Sequence, residues 1–185
     1  SFPQTFSSTI YPVQLTQKRK FYRWLWGDHY RYYYGIPIEA PTANLSELNG
    51  GYIPFREGGG NQSNSLRLKS ADGQEFVMRG VKKSAIRFLN NMAFTKSTLG
   101  EELTDTFPEK FLLDFYTTNH PFTPFTIGNM SEKLNILHSN PKLYYIPKQQ
   151  ALGRYNENYG DEMYMIEERF SSDPKTLAYL GNAKD

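Results

Sequence analysis

The chain has 185 residues, 38% of them hydrophobic, with 21 Lys and Arg against 19 Asp and Glu for a formal net charge of +2. Its apolar runs are broken by charge or Asn within a few residues, well short of the ~20 consecutive apolar residues that a membrane-spanning helix needs, and the balanced charge gives no bulk argument for nucleic acid. Cys is absent, which excludes a disulfide framework, a thiolate zinc site and a thiol nucleophile.

Residues 1–20 read as an irregular arm, punctuated by Pro3 and Pro12 and closing on Lys18, Arg19 and Lys20. They lack the basic start and apolar run of a signal peptide, so a linker from a preceding domain is the expectation. Phe21 to Gly27 places aromatics too densely for strand alternation and reads as a short amphipathic helix stopped by Gly27. Tyr30 to Tyr34 then leads through Gly35 and Pro37 into an extended stretch. Tyr52–Arg56 and Ser65–Lys69 read as strands flanking Gly58, Gly59 and Gly60. Ala71-Asp72-Gly73 is a tight-turn signal and Glu75–Arg79 the return strand, so 65–79 is a hairpin.

Helical patterns follow. Ser84 caps a helix over Ala85–Phe94. Thr106 and Pro108 open a second helix, with Phe107, Phe111, Leu112 and Phe115 on one face. Ser131–His138 gives a third. Leu143–Ile146 and Met163–Ile166 are apolar strands, and the tail from Ser171 is polar. The order predicts an α+β fold: an antiparallel sheet with helices packed on one side, over a single domain at 21–170, with 171–185 linking onward to a missing following segment.

Gly51–Lys83 is the expected functional centre. Glycines free the backbone to aim amides at an anion. Because Gly58, Gly59 and Gly60 lie between two strands, they match neither the dinucleotide fingerprint nor the Walker loop, both of which feed a helix. A glycine loop between antiparallel strands is what protein kinases lay over nucleotide phosphates. On that pattern Gly58, Gly59, Gly60, Gln62, Arg79 and Lys83 are the candidate phosphate or nucleotide contacts; no resident cofactor is expected, and a nucleotide is the candidate ligand of this loop. Asp114 is the candidate ion-pair partner for Arg79, and Glu167 and Glu168 are hinge-like acids at a strand end. A flexible hairpin loop and a solvated strand end explain the same residues without a ligand.

His29, His120 and His138 have no ligand neighbour at metal-binding spacing, so no metal site is expected. The aromatics Trp24, Trp26, Tyr32, Tyr33 and Tyr34 form a candidate partner surface, since Tyr buries a ring while keeping its hydroxyl wet. Stacking of sugars or single-stranded bases on the Tyr run is a third reading.

The string Gly58 to Lys69, with Asp72 to Arg79, resembles the central region of large Bacteroidetes outer-membrane proteins that join a calcineurin-like metallophosphoesterase domain to a surface-antigen type β-barrel. Trp26-Gly27-Asp28-His29-Tyr30-Arg31, Asp114, His120-Pro121, Leu137-His138, Asn140 to Leu143, Ile146-Pro147, Leu152-Gly153 and Glu167-Glu168-Arg169 agree in order. The resemblance implies a cell-envelope location, periplasm or outer membrane, and other domains of the parent or envelope proteins as partners. It also implies that any phosphoesterase activity belongs to another domain, and that a catalytic lobe of atypical-kinase type follows this region.

Two functions remain open: a kinase N-lobe-like phosphate- or nucleotide-binding module without turnover of its own, and a structural or protein-interaction module of an outer-membrane assembly.

Overall fold

The computed structural model describes residues 2–58, 63–84, 107–126 and 139–169. Five strands, β3 (Tyr52–Glu57), β4 (Ser63–Ser70), β5 (Glu75–Lys83), β6 (Lys142–Ile146) and β7 (Glu162–Glu168), make an antiparallel sheet in the order β3-β4-β5-β7-β6. The expected hairpin is β4–β5, with Leu66 opposite Met78 and Leu68 opposite Phe76. Its turn closes because Gly73 takes φ +90°, a region open to glycine, and Ser70 N–H donates to the Gln74 carbonyl at 2.9 Å.

Strand alternation sends side chains to both faces. Leu66, Leu68, Met78, Tyr164 and Ile166 join Ala43, Leu45, Leu152, Tyr155 and Tyr159 in one buried cluster. Val81, Tyr145 and Met163 join Ile10, Tyr11, Tyr34 and Ala40 in the other. Because both faces of β5 and β7 are apolar, both require cover. Helical turns at Gln150–Tyr155 and Asn156–Tyr159 (α5, numbering the helices in chain order) supply it on the first face. The helices α3 (Arg31–Gly35) and α4 (Phe107–Tyr116) lie with the second cluster through Tyr34 and Leu113. The fold is therefore α+β around an antiparallel sheet, as the sequence predicts, but with helical segments on both sides rather than on the one side expected, because both faces of the sheet are apolar. Buried Gln149 fastens the first layer: its side chain accepts from Leu45 N–H at 2.7 Å and donates to the Ala43 carbonyl at 3.1 Å.

The opening residues differ from the expected irregular arm. Thr5–Ser8 is a strand, β1, paired antiparallel with β2 (Ile38–Pro41). Phe6 stacks on Tyr145 at 3.8 Å and Tyr11 on Tyr34 at 5.2 Å. Ile10 and Tyr11 are buried, because the second face of the sheet would otherwise present Val81, Tyr145 and Met163 to water. Tyr30 to Tyr34 lead through the short helix α3 into the expected extended stretch, which is β2.

Helix α2 (Lys20–Trp26) forms where the sequence predicts it and ends at Gly27. Gly27 sits at φ 83°, ψ 171°, a conformation essentially confined to glycine. Helix α4 also forms, but Phe111 and Phe115 point outward while Asp114 and Tyr116 are buried. The helices expected over Ala85–Phe94 and Ser131–His138 lie outside the described residues, as does the polar tail from Ser171. Among the described residues no helix is long and apolar enough to cross a membrane.

Candidate functional site

Gly58 is the described member of the glycine run; Gly59, Gly60 and Gln62 lie outside the described residues. Gly58 has a packing reason to lack a side chain. Its N–H donates to the Ser65 carbonyl at 2.7 Å, and an added Cβ would lie 2.8 Å from Ser65 Cβ and closer still to its hydroxyl.

Arg79 shares a face of β5 with Val77 and Val81 by the period of two. Its side chain is 51% exposed and pairs with Glu167 at 3.3 Å. The expected Arg79–Asp114 pair is not formed: Asp114 is enclosed by Arg31 and Tyr22. Glu167 accepts a second bond, from Ser139 Oγ at 2.7 Å, and Glu168 accepts from the Gln74 amide. The two expected hinge acids thus hold the sheet's own neighbours. Lys83 stands opposite Ser63, the first described residue after the glycine run. Its ammonium sits 5.3 Å above the Tyr116 ring, and burial lowers its pKa.

The most organised cluster is one that the sequence does not single out. Arg31 and Asp114 are buried, with side chains 5% and 4% exposed. Arg31 Nε donates to Asp114 Oδ1 at 2.5 Å and Nη2 to Oδ2 at 2.9 Å, a bidentate fork. Nη1 donates to the carbonyls of Gly27 and Asp28, and Nη2 also reaches His29 Nδ1 at 3.3 Å. Four of the five guanidinium N–H groups therefore have carboxylate or carbonyl acceptors, and the fifth faces the His29 ring. Tyr22 Oη donates to Asp114 Oδ2 at 2.9 Å. Burial alone would raise the Asp114 pKa; the bonds from Arg31 and Tyr22 outweigh it and hold the carboxyl below its ordinary value.

This cluster welds three helices. The Gly27–Tyr30 turn, with His29 in the left-handed region at φ 51°, is clamped by Arg31 from α3 and by Tyr30 N–H donating to the Thr117 carbonyl at 2.7 Å. Tyr22 brings α2 onto α4. His120 is packed between Tyr30 and Tyr33, with ring centres 5.0 and 4.6 Å away. A rigid frame of this kind fixes what α2 presents to solvent.

What it presents is apolar. No residue of α2 is buried; Trp24 is 78% exposed and Phe21 71%. Leu25, Trp26, Tyr32, Phe115 and, less so, Tyr33 are exposed beside them. Trp26 meets Phe111 edge-on at 5.7 Å, which links the aromatics of α2 and α4. Of the expected partner surface, Tyr34 is removed: it is 1% exposed and its hydroxyl donates to the Tyr116 and Asn119 carbonyls. Its neighbours Tyr32 and Tyr33 fall on the outer side of the same helix because helical period, not strand alternation, governs the run.

Among the described residues no group of three or more His, Cys, Asp or Glu is placed to hold a metal ion. Comparison of the chain with protein-family models, with curated proteins and with solved structures returns no match.

Proposed function

We propose that this chain is a docking module of a larger assembly, with the exposed arc of α2 as its contact face and no catalytic centre of its own. One observation carries the reading. Phe21, Trp24 and Leu25 stand in solvent on a helix whose base is fixed by a hydrogen-bonded buried ion pair. Large apolar patches on a rigid frame mark interaction sites, and rigidity lowers the ordering cost of binding. The resemblance to envelope proteins supports a place for such a module in the cell envelope, beside other domains of its parent.

The nucleotide reading keeps one favourable observation: Lys83 is partly buried and pairs across the sheet with Ser63, the first described residue after the glycine run. Against it stand Arg79, Asp114, Glu167 and Glu168, each engaged elsewhere.

Two measurements separate the readings. A nucleotide at about 100 times its Kd raises stability by about 2.7 kcal/mol; docking predicts no shift in melting temperature with Mg-ATP or inorganic phosphate, and none that depends on Arg79→Ala. Docking further predicts that Phe21→Ser and Trp24→Ser lower retention on a phenyl column while changing stability by less than about 0.5 kcal/mol. Unchanged retention would mean that the face is already covered, and the docking reading would fall.

A further inference from the structure

The near-neutral total hides an uneven distribution of charge. The first 37 residues hold five of the 21 basic side chains, Lys18, Arg19, Lys20, Arg23 and Arg31, but only Asp28 of the 19 acids. Four of those five cations lie on or immediately before α2. A helix whose apolar side chains stand exposed is thus led in by a run of cations with no acid among them.

The helix sorts these groups. At about 100° per residue, Trp24, Phe21 and Leu25 span an outward arc of about 100°. Tyr22 and Trp26 turn toward α4, against Asp114 and Phe111. Lys20 lies next to Trp24 on the flank of the arc. Farther round the helix, on the side of Arg23, a hollow of about 710 Å³ opens between α1 (Val13–Thr16), α2 and α3. Lys18, Arg23 and His29 line it, and its one acid, Asp28, is paired with Arg23. Lys18 is steadied over the Tyr22 ring at 5.2 Å.

We propose that this face docks onto an anionic phospholipid surface, with Trp24, Phe21 and Leu25 entering the headgroup–acyl boundary and Lys18, Arg19 and Lys20 meeting the lipid phosphates. The proposal rests on the docking reading above and names its occupant. An apolar arc of Trp, Phe and Leu edged by Lys and Arg is the composition of an interfacial helix, and indole rings favour the headgroup level. Protein interfaces take Trp and Tyr as readily but are depleted in Lys, so the Lys18–Lys20 cluster favours lipid over a protein partner. A helix this short does not hold alone in water; here the Arg31–Asp114 cluster presents it ready-formed.

The test is co-sedimentation of the full chain with phosphatidylcholine vesicles, with and without phosphatidylglycerol. Binding is expected to the anionic vesicles, to fall steeply with added salt, and to come with a blue shift in tryptophan emission. Lys18→Gln and Lys20→Gln are each expected to weaken it about fivefold, and Trp24→Ser about tenfold. Failure to bind anionic vesicles at low salt overturns the lipid assignment, as does binding that Trp24→Ser leaves intact. A concentration-dependent dimer abolished by Trp24→Ser would give the face to a second copy instead. The phenyl-column result keeps the two levels apart: lowered retention without vesicle binding removes only the lipid, whereas unchanged retention removes the docking face itself.

Discussion

Arg31 and Asp114, 83 positions apart in sequence, meet as a buried bidentate pair in which four of the five guanidinium donors reach carboxylate or carbonyl oxygens. The pair joins the Gly27–Tyr30 turn to α4, and the exposed arc of α2 takes its direction from that junction. Removing one partner strands the other charge in the interior. Asp114→Ala is accordingly expected to cost about 3–5 kcal/mol. Arg31→Lys offers three donors from a point charge where the guanidinium fork engages four oxygens, and it is expected to fail in the same direction. The double change Arg31→Met with Asp114→Leu is expected to cost less than either of its single changes. Urea unfolding of the wild type, Arg31→Met, Asp114→Leu and the double variant measures this, and additive losses would deny the coupling.

The same carboxylate sets an acid dependence. Its folded pKa is depressed, so its contribution to stability is complete above the unfolded value near pH 4 and is lost as pH falls through the folded value. The stability difference between the wild type and Asp114→Asn should therefore be constant at neutral pH and shrink below about pH 4. A difference that persists undiminished into strong acid would contradict the ionised pair.

At the alkaline end three buried phenols act together. Burial raises the pKa of Tyr11 and Tyr164, and pushes that of Tyr34 up to about 12. A raised folded pKa gives stability that is complete below the unfolded value near 10 and is lost as pH rises through the folded value. Unfolding is expected to steepen above about pH 10, with part of the tyrosinate absorbance appearing only as structure is lost. Tyr34→Phe removes one such proton and should make the alkaline limb shallower.

Gly58 offers a direct contest between packing and ligand. Gly58→Ala drives a methyl into Ser65 and is expected to cost about 1–3 kcal/mol. Ser65→Gly in the same chain should recover part of that loss, giving a coupling of at least about 0.5 kcal/mol in a double-mutant cycle. No coupling would mean that the glycine serves the loop rather than the strand contact.

Local chemistry made part of this molecule legible in its sequence. Asp72-Gly73 between alternating runs specifies the β4–β5 hairpin, and Gly27 marks the end of α2, because each acts through its immediate neighbours. The Arg31–Asp114 pair was not legible, since nothing near Arg31 announces a carboxylate 83 positions away. The kinase-like pattern, which expects an acid on a following helix, suggested Arg79 for Asp114; Glu167, on the neighbouring strand, reaches Arg79 instead. The opening residues misled through composition: Pro3, Pro12 and the Ser/Thr clusters have the look of a linker, yet Phe6, Ile10 and Tyr11 are the apolar groups that a two-faced sheet requires. The outward turn of Phe111 and Phe115 was hidden for the converse reason, because an apolar stripe at helical spacing reads as core whether or not anything covers it.

The stack of Phe6 on Tyr145 has a consequence for how the chain is born. Phe6 leaves the ribosome well ahead of its stacking partner, which lies far along the chain in β6. Tyr11 likewise waits for Lys83, 72 positions on, before its hydroxyl finds its acceptor in the fold. At roughly 5–20 residues per second, Phe6 stays without Tyr145 for on the order of ten seconds, although β2, the strand that pairs with β1, follows much sooner. In that interval β1 can pair with β2 while Phe6, Ile10 and Tyr11 still lack the sheet face that covers them, and what shields those side chains is a matter for the translating cell rather than for the finished fold.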